Sequence, residues 1–169
     1  IILLEGYLWD IPDIIEIAEK IAKIKNESNV RIALSLSDSF CVERHHKAFS
    51  EIVNDMVDII FANEEEMMTL TDSDSYDDMI KKALKLNKIS VITLGEKGSV
   101  IINKSDVIQS NAIETKNIID TTGAGDTFTA AFLFGFISGK SIKECAELGS
   151  WSASKVIQQI GARLDKNTL

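Results

Sequence analysis

Short apolar runs alternate with helix-patterned segments along most of this chain, and that alternation restricts the fold more than any other feature. Residues 1–4, 30–36, 57–62 and 89–94 read as strands. Between the first two, Ile14, Ile15, Ala18, Ile21, Ala22 and Ile24 recur at helical spacing through about Lys25, with Pro12, the only proline, placed for a first helical turn. A helix over 42–56 would bury Phe49, Ile52 and Val53, and two shorter helices are predicted over 64–70 and 76–86. Further strands fall at 99–102 and 107–109, and the glycine-bounded stretch 95–98 marks an antiparallel hairpin. Strands alternating with helices of this length predict βαβ units. The fold class expected is therefore α/β in three layers, a mainly parallel sheet with helices on both faces, in one domain spanning 1–169.

The last third is helical. Residues 127–137 are apolar almost all round, so this helix is expected to be buried, with Ala130, Ala131 and Gly135 allowing close packing. Gly139 ends it, and Ser141-Ile-Lys-Glu144 is a capping box that opens a final helix running to about Ile160.

At 169 residues the chain can bury a real core, and 45% hydrophobic with 26% charged residues is the balance of a globular protein. A net charge of −8 without a basic stripe argues against a nucleic-acid partner. No apolar run reaches membrane-spanning length, so no membrane role is expected. Cys41 and Cys145 are too few and too isolated for a disulfide framework or a metal site, and fit a reducing, cytoplasmic setting. The chain opens in an apolar run with no initiator Met, which leads us to expect the C-terminal part of a longer protein; Gly161-Ala162-Arg163 and a short polar tail read as a natural end.

Chemistry concentrates in Asp120-Thr121-Thr122-Gly123-Ala124-Gly125-Asp126, which runs directly into the apolar helix. Small residues let a backbone turn tightly and bring its N–H groups close to a ligand. A helix N-terminus carries unpaired donors and the positive end of the dipole, so it attracts phosphate. A carboxylate in that first turn would repel phosphate unless it had chemical work, and the work available to Asp126 is to take a proton from an attacking hydroxyl. Acids are also common in first turns for the dipole alone.

Asn63 and Glu66 sit one helical turn apart at the C-terminal end of a strand, where parallel sheets bind ligands. An amide and a carboxylate so placed can hold a hydrated Mg²⁺; the same spacing is that of an ordinary N-cap followed by acids. Thr93-Leu94-Gly95-Glu96-Lys97-Gly98 lies at the next strand end, where two glycines admit a ligand and Lys97 can face an anion, although a plain hairpin turn accounts for the same residues.

Asp120-Thr-Thr-Gly-Ala-Gly-Asp126-Thr-Phe resembles the second signature of the PfkB/ribokinase family of carbohydrate and nucleoside kinases. The resemblance implies that Asp126 is the catalytic base and that the Gly123, Ala124 and Gly125 amides form an anion hole for the transferred phosphoryl group. It implies that Asp120 braces this loop and helps shape a monovalent-cation (K⁺) site, while Thr121 and Thr122 could donate hydroxyls to phosphate. Asn63-x-x-Glu66 is similar to the family's Asn-x-x-Glu motif, which positions Mg²⁺ through water. Thr93, Gly95, Lys97 and Gly98 stand where the family's Thr-Leu-Gly-x-x-Gly segment flanks ATP. What matches is the family's nucleotide-binding second half, so the portion carrying the lid and most substrate contacts is expected to be missing. The expected activity is transfer of the γ-phosphate of ATP to a primary hydroxyl of a sugar or nucleoside, with a homodimer implied for the full-length protein; a non-catalytic nucleotide-binding remnant is the alternative.

Other stretches carry less. Gly135-Phe-Ile-Ser-Gly139-Lys140-Ser141 is one residue short of a Walker A loop and follows a helix instead of a strand. Gly123-x-Gly125 lacks the third glycine of a dinucleotide fingerprint, so hydride chemistry is unsupported. Glu5–Asp10 and Ser37–His46 resemble segments of a bacterial adenosine-kinase-like branch, with Ser39 in place of an expected proline. His45 and His46 read as surface helix residues, with no third ligand at metal spacing.

Overall fold

The computed structural model of the chain describes residues 1–164; the end of the polar tail lies outside the described residues. Six strands form one sheet in sequential order: β1 (Ile2–Glu5), β2 (Ile32–Ser35), β3 (Ile59–Asn63), β4 (Ile89–Thr93), β5 (Ser99–Asn103) and β6 (Asp106–Ser110). β1 and β2 run parallel with Ile2 beside Ile32 and Glu5 beside Ser35; β2 and β3 run parallel with Ala33 beside Ile59. Only residues 94–98 join β4 to β5, too few for a crossover, so that pair is antiparallel as expected. The fold is α/β, with a mostly parallel sheet and helices, as expected. By contact density the chain divides into two compact units, Ile1–Ile92 with Ile102–Asp106, and Thr93–Ile101 with Val107 onward.

In the first unit the helices are α1 (Ile14–Glu27), α2 (Ser39–Arg44), α3 (His46–Asp55), α4 (Glu64–Leu70) and α5 (Tyr76–Leu86). Its core is apolar on both sides of the strands: Ile32, Ala33, Leu34, Ile59 and Ile60 are fully buried, together with Phe49 of α3 and Met67 of α4. Asp58 fastens the far end of this layer. Its carboxylate accepts from Lys25 Nζ at 2.7 Å and from the Ile32 N–H at 2.8 Å, and its carbonyl accepts from the Ile89 N–H.

Two expectations fail here. The segment 42–56 is two helices, because the backbone at His45 leaves helical geometry (φ −114°, ψ 20°) while the His45 ring reaches Asp10 at 2.6 Å. Pro12 lies in a turn before α1, not inside its first turn, since the Ile14 N–H closes back on the Ile11 carbonyl.

The second unit holds α6 (Ala124–Ile137) and α7 (Ile142–Val156), which pack along each other. Gly149 makes that approach possible: a Cβ there would lie 2.9 Å from three ring atoms of Phe128. The predicted Ser141–Glu144 capping box is present. α6 is not buried all round, because α7 covers one face while Phe134 and Ile137 remain 63% and 68% exposed. α7 stops at Val156, short of the expected end, where the Ile157 carbonyl turns to accept the N–H groups of Ile119 and Asp120. Asn117-Ile118-Ile119 is a run that reads as a short strand ending at Asp120, but those bonds hold it in irregular backbone.

Candidate active site

The loop before α6 is built by Gly123 and Asp120. Gly123 occupies the N-cap in the left-handed region (φ 77°), and a Cβ would fall 2.6–2.8 Å from Cβ, Cα and O of Ala162. No other residue type meets both demands. Asp120 ties the same two segments together: one carboxylate oxygen accepts from the Thr122 N–H at 2.9 Å, the other from the Gly161 N–H at 3.0 Å. The Thr122 side chain, followed by these two amides, holds the Asp120 carboxyl below its ordinary range. The Thr122 hydroxyl is therefore a partner of Asp120, where the sequence suggested phosphate.

The Ala124 N–H closes the turn on the Thr121 carbonyl at 3.2 Å, and the Thr127 N–H bonds the Gly123 carbonyl. Donors of the first helical turn have no partner inside the helix, and among the described residues nothing lies within 4 Å of where a Gly125 Cβ would stand. Asp126 follows in this first turn, exposed. The arrangement offers anion-accepting amides, open space above them, and a carboxylate beside that space.

The turn between β4 and β5 lies in the same unit. The Leu94 N–H donates to the Gly98 carbonyl, and the Gly98 N–H to the Gly95 carbonyl. Gly95 (φ 60°) faces open space and Lys97 is exposed. Gly98 (φ 93°) is needed for a different approach than the sequence suggested: a Cβ would meet the Ser110 carbonyl oxygen at 2.1 Å and the Ala112 nitrogen at 2.6 Å. It fits this chain to its own backbone, leaving Gly95 as the glycine open to a ligand.

In the first unit Asn63 and Glu66 form a reciprocal capping box. Asn63 Oδ1 accepts from the Glu66 N–H at 2.8 Å, and the Glu66 oxygens accept from the Asn63 N–H at 2.9 Å and from Asn63 Nδ2 at 2.6 Å. Glu66 is only 7% exposed, and burial raises its carboxyl above the ordinary range; the bond from Asn63 opposes the shift, while the carboxylates of Asp38, Glu65 and Glu5 add to it. Each Glu66 oxygen accepts one of these bonds and retains a lone pair, and the surrounding negative field favours a cation. These residues fit Mg²⁺ held through water. Glu65 instead accepts from the Ser39 hydroxyl.

Around the ends of β1 and β2, Asp38 caps α2 through the Cys41 N–H and accepts from Tyr7, whose phenol is pushed up to about 12 chiefly by that bond. Asp10 accepts twice from Arg44 and contacts His45 Nε2 at 2.6 Å. His45 is thus no plain surface residue, and a third metal-type group does accompany it: Asp10, Cys41 and His45 offer ligand atoms all within 4.8 Å of one another. The four-residue step from Cys41 to His45 was the available signal; Asp10, distant in sequence, gave none.

A family profile described as pfkB family carbohydrate kinase matches residues 5–169. The chain belongs to the pfkB family. Among relatives of this pfkB-family chain, a ribokinase of Arabidopsis thaliana is 37% identical over 115 residues, 64% of this chain and 30% of that protein. A probable sugar kinase of Rhizobium etli CFN 42 superposes with a TM-score of 0.92 at 38% identity, covering 96% of this chain and 49% of that one. The adenosine kinase of Sinorhizobium meliloti superposes with a TM-score of 0.91 at 39% identity, covering 95% and 50%. The pfkB-family chain therefore spans about half the length of these solved structures and 30% of that ribokinase. Among the described residues no helix is long and apolar enough to cross a membrane.

Proposed function

We propose that this chain carries the nucleotide-binding and catalytic half of an ATP-dependent phosphotransferase that moves the γ-phosphate to a primary hydroxyl of a sugar or nucleoside. The observation that carries the reading is the Gly123 loop, locked by Asp120 and Ala162, that delivers Asp126 into the first turn of α6 beside open space at Gly125. ATP lies along the 95–98 turn, with Thr93, Gly95 and Lys97 flanking it, Gly98 holding the turn against residues 110–112, and the adenine toward α7. The Gly123 and Gly125 amides, reinforced by the helix dipole, face the oxygens on which charge develops, while the Ala124 amide closes the turn on Thr121. Asp126 takes the proton of the acceptor hydroxyl. Asp120 and Thr122 keep the loop in shape, and a monovalent cation such as K⁺ fits the reading beside them. Asn63 and Glu66 would hold Mg²⁺ through water; when bound it supplies charge neutralisation on the phosphates.

Replacing Asp126 by Ala in a catalytically competent form of the protein is expected to lower turnover by about 10²–10⁴-fold with ATP binding largely retained, because a general base contributes that much. More than about a tenth of the activity surviving would remove Asp126 from that role. The half-length match supports a second reading, a nucleotide-binding remnant without catalysis of its own. Phosphotransfer to ribose, fructose and adenosine, measured on this chain and on any longer product of its gene, separates the two.

A further inference from the structure

We propose that Asp10, Cys41 and His45 form a site for a divalent transition-metal ion, of which Zn²⁺ is the natural occupant. The site belongs to the first unit and shares no residue with the phosphotransfer machinery. Cys41 and His45 lie four residues apart, so the turn of α2 presents both on one side. The 3-10 turn Gly6–Asp10 after β1 supplies the third group. A tetrahedral ion with bonds of ~2.0–2.3 Å needs ligand atoms about 3.3–3.6 Å apart. The three atoms already lie within 4.8 Å of one another, His45 Nε2 and Asp10 Oδ1 at 2.6 Å, so shifts of about an ångström would seat one.

The donor set selects the class of metal. One thiolate, one imidazole and one carboxylate suit zinc and its neighbours, while Mg²⁺ prefers oxygen alone. Three protein ligands leave a fourth position for water. Arg44 donates to both Asp10 oxygens, at 3.0 and 2.8 Å; with Oδ1 on the metal it keeps Oδ2 and orients the carboxylate, as outer partners of metal ligands do. Cys41 is fully buried; burial first, then the carboxylates of Asp10 and Asp38, raise its thiol while Arg44 opposes them, so the thiol proton is one that a metal must displace. The protons balance simply. Binding displaces the Cys41 thiol proton to solvent, and the proton that His45 Nε2 donates to the Asp10 carboxylate moves to Nδ1 by exchange with solvent, freeing the Nε2 lone pair.

Co²⁺ is the probe. Titrated into the purified protein at neutral pH, it is expected to bind one equivalent, release one proton per ion, and give a thiolate-to-cobalt charge-transfer band in the near ultraviolet that Zn²⁺ abolishes and millimolar Mg²⁺ does not. Cys41→Ser is expected to remove the band. Because Cys41 is buried and its replacement could unfold the chain, Asp10→Asn and His45→Asn serve as second variants, each expected to weaken Zn²⁺ binding by about tenfold or more with circular dichroism unchanged. The proposal fails if no band develops, if the band persists in a folded Cys41→Ser protein, or if both the Asp10→Asn and the His45→Asn variants bind Zn²⁺ as the parent does; the three residues would then be only a hydrogen-bonded latch.

Discussion

At the scale of single residues, position 123 is the least replaceable. Gly123→Ala places a Cβ in a left-handed backbone and against Ala162, and the left-handed cost alone is about 1–2 kcal/mol. We expect a lower melting temperature and weaker ATP binding. Ala162→Gly should not rescue it, because Cα and O of Ala162 stand at 2.7 and 2.8 Å as well; recovery of stability in the double variant would show that the side chain alone was the obstacle. Glu66 makes a prediction in pH. Its folded carboxyl titrates above the ordinary value of 4.5, so in that window the folded state holds a proton that the unfolded state has lost. Stability should fall as pH rises from about 4.5 through the raised value and then level off. Glu66→Gln should lack that fall, and equal slopes of melting temperature against pH in both proteins would contradict it. The signature residues were legible because each answers a local demand, tight turning or anion binding. The partners that hold them were not: Gly161 and Ala162 meet Asp120 and Gly123 across about forty residues of chain.

Between elements, the α6–α7 contact rests on a missing side chain. Gly149→Ala drives a methyl to 2.9 Å from the Phe128 ring, and overpacking of this kind typically costs 1–3 kcal/mol. Combining it with Phe128→Leu should cost less than the sum of the two single changes, since both act on one contact, and denaturant unfolding of the four proteins measures the difference. Strictly additive losses would mean the helices do not meet there. Most elements could be read from periodicity, α4 and α5 to their end residues. The break between α2 and α3 could not, because Asp10 draws His45 out of helical geometry and nothing within 42–56 announces it. The segment 117–119 has strand-like residues, yet its backbone bonds go to Ile157 at the end of α7. Composition alone made α6 look buried throughout; which face α7 covers is decided by Phe128 and Gly149 in space.

Over the whole molecule, a charge of −8 works against compaction. Screening shortens from about 30 Å at 0.01 M salt to about 8 Å at 0.15 M, so the melting temperature should rise over that range; a fall would show that attractive pairs such as Lys25–Asp58 outweigh the repulsion. The α/β class was legible from the strand–helix alternation, whereas the limits of the two compact units leave no mark in the sequence, because they fall within β4, β5 and β6. The clasp between Asp120 and the backbone at residue 161 has a practical side. A fusion partner or affinity handle attached just beyond that turn would tug on the anion cradle itself, so reporters for this protein belong on a distant surface, such as the exposed polar side of α1.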